Sequence, residues 1–411
     1  MPRLSRNGCL TCKRRKVRCD ENRPSCLNCV KRHRICSFSP QGDHTENSPV
    51  TPKDQSTSAS PLLEAEQSRR ANEILVTTSI PKLRSPQCPN TLDVPHGCDL
   101  WNYDMELIHH YTTITAATLS IRKDMAHLWQ VTIPREGYRS PFVLHGILAM
   151  SAVHQAYLQP ANQKMYLQLY SYHSALGSEQ FRSTLEDPRH ENWMGLFSFA
   201  ALITLHAFTL PLRLNGEKLP DPLLNLFEVA TLLRGMETML SPMLPLISRS
   251  EFAPFIYGVR LADVDDISAS HCSLDNSHLP SDTLVALESL RHFLSGRISE
   301  SCLPFYQSAV DHMDHLARLI ALAGLNSEAG TVLGWLFSLP ESLLPDIRER
   351  RPEALILVAY FSVFLLSLEK NFWYSQGWAK QVFKQILAQL IHRPRFLEAL
   401  RWPRRVFSGI T

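Results

Sequence analysis

The sequence lacks the patterns that mark many enzymes, secreted proteins and sheet proteins. It contains no G-x-S-x-G, no glycine-rich phosphate loop and no H-E-x-x-H motif, so none of the catalytic chemistries tied to those motifs is indicated. The first residues, MPRLSRNGCL, contain no apolar stretch of the kind a secretory signal requires. Alternating β-branched segments are also missing. We therefore expect a helical protein of a reducing compartment, without enzymatic activity.

Long apolar runs are few, and two of them invite comparison with membrane spans. Leu196–Leu212 carries His206 and several hydroxyl groups, while Leu355–Leu368 is only 14 residues long. A membrane-spanning helix needs roughly 20 consecutive apolar residues. Both runs are therefore predicted to be buried core helices, and no membrane association is expected.

Cysteine and positive charge, in contrast, are concentrated in the first 36 residues, here called the head. Six of the ten cysteines lie there, in the pattern C-x2-C-x6-C-x6-C-x2-C-x6-C. The head holds 11 Lys and Arg against 2 Asp and Glu, and the rest of the chain holds 31 against 37. A basic head on an acidic body indicates a polyanionic partner for the head, nucleic acid first of all.

The head is too short to be stabilised by a hydrophobic core, so we expect bound metal ions to stabilise its fold. Two tetrahedral zinc sites need eight ligands, and six cysteines suffice only if two thiolates are shared. The spacing of Cys9–Cys19 is repeated in Cys26–Cys36, which gives two equivalent halves. A single four-cysteine finger would leave Cys19 and Cys36 unused, and a redox C-x2-C motif would explain neither the duplication nor the charge.

The stretch from Cys9 to Cys36, with Pro24 between its halves, resembles the fungal Zn(II)2Cys6 binuclear cluster. This cluster is the DNA-binding module of a large family of fungal transcription factors. The resemblance implies two Zn²⁺ ions, bridged by Cys9 and Cys26. It assigns Cys12 and Cys19 to one ion, and Cys29 and Cys36 to the other.

The basic run after Cys12 is the candidate DNA-binding segment. Six thiolates and two Zn²⁺ ions sum to −2, which leaves the head with about +7. Clusters of this kind place a short helix in the DNA major groove. The resemblance implies that Arg15 and Lys16 reach base edges of a CGG-like half-site, and that Lys13, Arg14 and Arg18 meet phosphates. Taken alone, KRRKVR would indicate a solvated charge run or a nuclear localisation signal. Within the zinc cluster we expect it to contact DNA, and the same residues can also act as a nuclear localisation signal.

The chain beyond the head divides by composition. Thirteen of the 25 residues from Ser37 to Pro61 are Ser, Thr or Pro, which predicts disorder. Helical periodicity begins near Leu100 and continues to the C-terminus. We therefore predict a mostly α protein with a DNA-binding domain at 1–40, a disordered linker at 41–96 and an all-helical regulatory domain at 97–411. A short amphipathic helix at Leu62–Leu75 lacks the repeated heptads of a coiled coil, so a monomer and a homodimer both remain open.

The helical region also resembles a known group. LIHHYTTITAATLS, PFVLHGILAMSAVHQAYL and RPEALILVAYFSVFLL with the following FWYSQGW are similar to the C-terminal domain of sterol uptake control protein-like regulators. That resemblance implies an apolar pocket that binds a small-molecule ligand. It is loose over 241–330, so no pocket residues are transferred.

Two readings of function remain open. Both place a sequence-specific DNA-binding transcription factor in the nucleus. The favoured one is a pathway-specific regulator of a fungal secondary-metabolite biosynthetic gene cluster. The alternative is a sterol- or lipid-responsive regulator, which rests on similarity alone. The segment DHMDHLARL, with Asp311, His312, Asp314 and His315, is predicted to form a polar helix face rather than a metal site.

Overall fold

The chain is described here from a computed structural model, in which it divides into two compact units, Met1–Ser60 and Pro61–Thr411. The structure describes residues 9–14, 17, 19–21, 26, 29, 98–186, 192–214, 216, 218–255 and 273–409. The predicted linker at 41–96 and the Leu62–Leu75 helix lie outside the described residues. The domain boundaries therefore stay predictions.

Every regular element among the described residues is a helix, which confirms the predicted mostly α class. In the first unit the described helix is α1 (Leu10–Arg14). In the second unit the α-helices are α2 (Cys98–His110), α3 (Lys123–His127), α4 (Ile133–Gly137), α5 (Pro141–Leu158), α6 (Gln163–Glu186), α7 (Trp193–Leu214), α8 (Pro222–Leu240), α9 (Leu244–Ile247), α10 (Thr283–Ser295), α11 (Leu303–Ala323), α12 (Ala329–Ser338), α13 (Leu344–Arg348), α14 (Pro352–Glu369), α15 (Trp378–Leu390), α16 (Pro394–Ala399) and α17 (Arg401–Ser408).

The two most apolar long helices, α7 and α14, lie inside the second unit. Both are long and apolar enough to cross a membrane by length and composition, yet 89% and 78% of the residues in their apolar windows are buried. Helix α14 packs against α11, α12, α15 and α17, which is why it is apolar on every side. This agrees with the prediction that both runs are core helices.

Two glycines allow α5, α6 and α7 to pack closely around Phe199. A Cβ atom on Gly146 would lie 2.9 Å from a ring carbon of Phe199, and one on Gly177 would lie 2.8 Å from another. Real side chains do not tolerate such distances, so any larger residue would push the helices apart. Helix α5 begins at Pro141, at a position where a backbone N–H would have no hydrogen-bond partner within the helix.

The segment from Leu107 to Ile121 is only partly regular helix. Helix α2 ends at His110, and the chain continues as a π-helical turn, Tyr111–Thr115, and a 3₁₀ turn, Ala116–Thr118. The Thr113 hydroxyl donates to the carbonyl oxygen of His109 over 2.7 Å, and such side-chain bonds compete with regular helix geometry. Apolar periodicity does not report this local change.

The aromatic-rich segment FWYSQGW belongs to the core. Phe372, Trp373, Tyr374 and Trp378 are all buried. The indole N–H of Trp378 donates to the carbonyl oxygen of Phe208 over 2.8 Å, which satisfies its polar atom inside the apolar interior.

The segment DHMDHLARL lies on α11, and its acidic residues form ion pairs. Asp311 pairs with Arg291 of α10, and Asp314 accepts from Arg318 one turn later over 2.7 Å. Burial lowers the pKa of both His312 and His315. These contacts are those of a polar helix face.

Candidate metal centre and nucleic-acid interface

The first unit uses one backbone turn at both of its C-x2-C motifs. The N–H of Cys12 donates to the carbonyl oxygen of Cys9 over 3.1 Å, and the N–H of Cys29 donates to that of Cys26 over 3.0 Å. Such a turn brings two side chains three residues apart to the same side of the chain. The local geometry therefore agrees with two equivalent halves.

The sulfur atoms of the two halves meet in one cluster. The Sγ of Cys9 lies 3.6 Å from that of Cys26 and 3.7 Å from that of Cys29. The Sγ of Cys12 lies 3.6 Å from that of Cys26 and 4.0 Å from that of Cys29. With Cys19, the ligand atoms of Cys9, Cys12 and Cys26 all lie within 4.8 Å of one another. All five cysteines are buried.

These distances fit zinc. Four sulfurs around one Zn²⁺, each about 2.3 Å from it, form a tetrahedron whose edges are about 3.8 Å. The cluster Cys9, Cys12, Cys19 and Cys26 corresponds to the complete ligand set of the first ion in the predicted scheme. The longest of the four sulfur distances given above joins Cys12 and Cys29, the pair that the scheme assigns to different ions.

The positions of Cys9 and Cys26 are those expected of shared ligands. Cys9, from the first half, contacts Cys29 of the second half at 3.7 Å. Cys26, from the second half, contacts Cys12 of the first half at 3.6 Å. Cys12 and Cys29 also contact each other across the two halves, at 4.0 Å, so these distances agree with shared ligands, while the choice of Cys9 and Cys26 as the bridges stays an implication of the family resemblance.

The protonation of the thiols opposes metal binding at low pH. Burial raises the pKa of Cys9 to about 12 and raises that of Cys12 and Cys26. Burial also tends to raise the pKa of Cys19. Hydrogen bonds from the backbone N–H groups of Cys9 and Glu21 to its sulfur outweigh burial, so the pKa of Cys19 is lowered. Because zinc binds thiolates, binding releases protons and its affinity falls as the pH falls.

The structure describes only part of the predicted DNA-binding segment. Lys13 is exposed on α1, and only the backbone of Arg14 is described, as the last residue of that helix. Arg15, Lys16 and Arg18 lie outside the described residues, as does the sixth cysteine, Cys36. The base-edge and phosphate contacts therefore stay predictions.

Val17 contributes to the head in a way the sequence analysis missed. It packs against the cysteine cluster, and its N–H donates to the carbonyl oxygen of Cys12 over 3.1 Å. It is the one apolar residue within KRRKVR, which is the signal that could have revealed it. Val17 thereby anchors the chain that follows α1 to the sulfur cluster.

The second unit contains a cavity of about 240 Å³ with a mostly apolar lining. Its walls come from the turn at Trp129, from helices α7, α8 and α12, and from the segment near Phe255. The apolar residues that line it include Trp129, Phe197, Leu205, Leu233, Met236, Leu333 and Phe337. Cavities of this kind between helices are common ligand sites.

One wall of this cavity is held by a buried carboxylate. Glu328 lines the cavity, and its Oε1 accepts the backbone N–H of Ile121 over 2.8 Å and that of Arg122 over 2.6 Å. Burial raises the pKa of Glu328, and the two backbone hydrogen bonds partly offset this. The carboxylate ties the chain before α3 to the start of α12, so it fixes the shape of this wall.

Residues 7–44 match the fungal Zn(2)-Cys(6) binuclear cluster domain, a domain that binds two zinc ions. The match confirms the family resemblance of the head and the predicted pair of zinc ions.

The relatives are regulatory proteins. A Zn(2)-C6 fungal-type transcription factor of Gibberella zeae is 25% identical over 98% of this chain and 85% of its own length. The transcription factor afumD of Aspergillus fumigatus is 25% identical over 38% of this chain and 34% of its own length. Sterol uptake control protein 2 of Candida albicans is 26% identical over 42% of this chain, and only 24% of its own length is covered. Similarity to transcription factors argues against an enzyme.

Proposed function

We propose that this chain, a DNA-binding transcription regulator with a fungal Zn(2)-Cys(6) cluster domain, controls a gene cluster for secondary metabolism. Residues 1–40 read CGG-like half-sites in the nucleus, and residues 97–411 form the regulatory domain. Arg15 and Lys16 contact base edges, while Lys13, Arg14 and Arg18 contact phosphates.

The observation that carries the DNA-binding part is the convergence of cysteines from both halves within 3.6 to 4.0 Å. This cluster fixes the start of the basic run at α1, where Lys13 is exposed. The regulatory part is supported by similarity to a transcription factor that is matched over 98% of this chain and 85% of that protein. Secondary metabolism is preferred to sterol control because the similarity to sterol uptake control protein 2 covers 42% of this chain and only 24% of that protein.

Genome-wide mapping of bound promoters tests the choice of pathway. We expect the occupied promoters to lie mainly within one contiguous group of biosynthetic genes, each with a CGG-like triplet under the peak. Occupancy spread over genes of sterol synthesis and uptake would reject this choice and favour the alternative. A chain that lacks residues 1–40 serves as the control for peaks that do not depend on the zinc cluster.

A second candidate function, a sterol- or lipid-responsive regulator, is favoured by the apolar cavity of the second unit. An apolar ligand there would contact α7, α8 and α12 together, and so could change how these helices pack. Since a ligand that binds only the folded state stabilises it, binding is visible as a rise in the melting temperature.

Ergosterol added to the full chain should raise its melting temperature by several degrees if the cavity holds a sterol. Ala201→Phe places a ring at a residue that lines the cavity and should abolish the rise. Ala388→Phe, at an exposed position of α15, is the matched control and should retain it. No rise in the wild-type chain, or an equal rise in both variants, would reject this candidate.

A further inference from the structure

A second concentration of positive charge lies at the C-terminal end of the helical unit. Residues 371–411 contain seven Lys and Arg and one acidic residue, Glu398. Residues 37–370 contain 24 Lys and Arg against 36 Asp and Glu. The net charge is thus +9 in the head, −12 over residues 37–370 and +6 over residues 371–411. The chain beyond the head is acidic as a whole, yet its last 41 residues are basic.

This charge is displayed on the surface of three helices that pack together. The ring of Phe383 on α15 stacks on that of Phe407 on α17, with centroids 4.5 Å apart and planes 9° apart, and α16 joins the two helices in sequence. Six exposed basic residues on these helices and in the turn before α16, all but Arg405, are here called the basic surface: Lys380, Lys384, Arg393, Arg395, Arg401 and Arg404.

The basic surface has no acidic partners in the part of the chain that the structure describes. Arg405, beside it, pairs with Asp282, whereas no ion pair to a described residue involves any of the six residues of the basic surface. Elsewhere in the second unit arginines do find carboxylates, as Arg318 does with Asp314 and Arg350 with Asp221. Unpaired guanidinium groups in such number repel one another, and an external polyanion would relieve that repulsion.

We propose that the basic surface binds the phosphate backbone of duplex DNA without regard to sequence. Four of its six residues are arginine, whose planar guanidinium group donates two parallel hydrogen bonds to a phosphate. Duplex DNA is also the polyanion to which the zinc cluster domain of this chain binds. The helical unit would then add non-specific affinity to the specific contacts of the head. This role lies beyond the proposed regulatory function and does not depend on the pathway controlled.

The test uses the full chain and a random-sequence duplex, with binding measured by fluorescence anisotropy over a series of salt concentrations. Each phosphate contact contributes about 0.9 to the slope of log affinity against log salt. Arg401→Gln with Arg404→Gln should therefore lower the slope by about 2. Arg135→Gln with Arg139→Gln removes two exposed arginines outside the basic surface, and should leave the slope unchanged. Equal slopes for the wild-type chain and the Arg401/Arg404 variant would overturn the proposal.

Repeating the measurement in a Cys26→Ala background separates the basic surface from the zinc cluster. We expect weak binding at low salt to persist in that background, and its salt slope to fall by about 2 when Arg401→Gln and Arg404→Gln are added. Complete loss of binding on Cys26→Ala alone would overturn the proposal, because the basic surface would then contribute no affinity of its own. It would not contradict the proposed DNA binding by the wild-type head. Unchanged DNA binding by the Arg401/Arg404 variant, together with lost binding of an acidic peptide, would assign the surface to a protein partner and also overturn it.

Discussion

Replacing Cys26 by alanine should reduce the affinity for the preferred DNA site by about 10³-fold or more, to the non-specific level. The Sγ of Cys26 lies 3.6 Å from those of both Cys9 and Cys12, and the family resemblance makes it a bridge between the two ions. Its loss would leave both zinc sites short of a ligand. Without them the head has no core of its own to hold α1 in place.

The measurement is a competition binding experiment with a duplex chosen by selection from random sequences. Cys302→Ala removes an exposed cysteine of the second unit and is the matched control, with wild-type affinity expected. A Cys26→Ala chain that keeps its preference for the selected site would contradict a shared-thiolate cluster, because binding would then not need the bridge.

Lys16→Ala should weaken binding to the preferred site by about 10- to 100-fold, and binding to random DNA much less. A base-edge contact from Lys or Arg to guanine is worth about 1 to 3 kcal/mol of discrimination, whereas a phosphate contact supports all sequences alike. The family resemblance assigns Lys16 to the first class and Lys13, exposed on α1, to the second.

Lys13→Ala is therefore the matched control for Lys16→Ala. It should weaken binding to the selected and the random duplex by similar factors and reduce the salt slope by about 1. Similar losses on both duplexes for Lys16→Ala would reassign Lys16 to a phosphate. A loss for Lys13→Ala confined to the selected duplex would place Lys13 at a base edge instead.

The cysteine cluster could be predicted because its information is local. Six ligands at fixed spacing leave few ways to fill two tetrahedral sites, and the repeated turn at Cys9 and Cys26 follows from the repeated C-x2-C motif. The all-helical class was also predictable, since apolar periodicity extends over most of the second unit. The burial of Trp378 is likewise what its large apolar area favours.

The features that depend on distant contacts could not be predicted. The hydrogen bonds from Ile121 and Arg122 to Glu328 join positions more than 200 residues apart, and no local pattern marks them. The close packing of Gly146 and Gly177 against Phe199 is equally invisible before the three helices are assembled. The family resemblance implied an apolar pocket but not the residues that line it, and both that lining and the basic surface arise from such assembly. One feature of the sequence does indicate the basic surface, since seven of the last 41 residues are basic. The net charge of the chain beyond the head does not show it, because acidic residues elsewhere outweigh these seven.

The number of zinc ions held by the chain tests the shared-thiolate cluster most directly. Native mass spectrometry of the full chain, purified under reducing conditions, should find two zinc ions per chain, and both should be lost together on acidification because the buried thiols regain their protons. A single zinc ion, or a chain whose head cysteines are oxidised to disulfides, would contradict two ions held by six shared sulfurs.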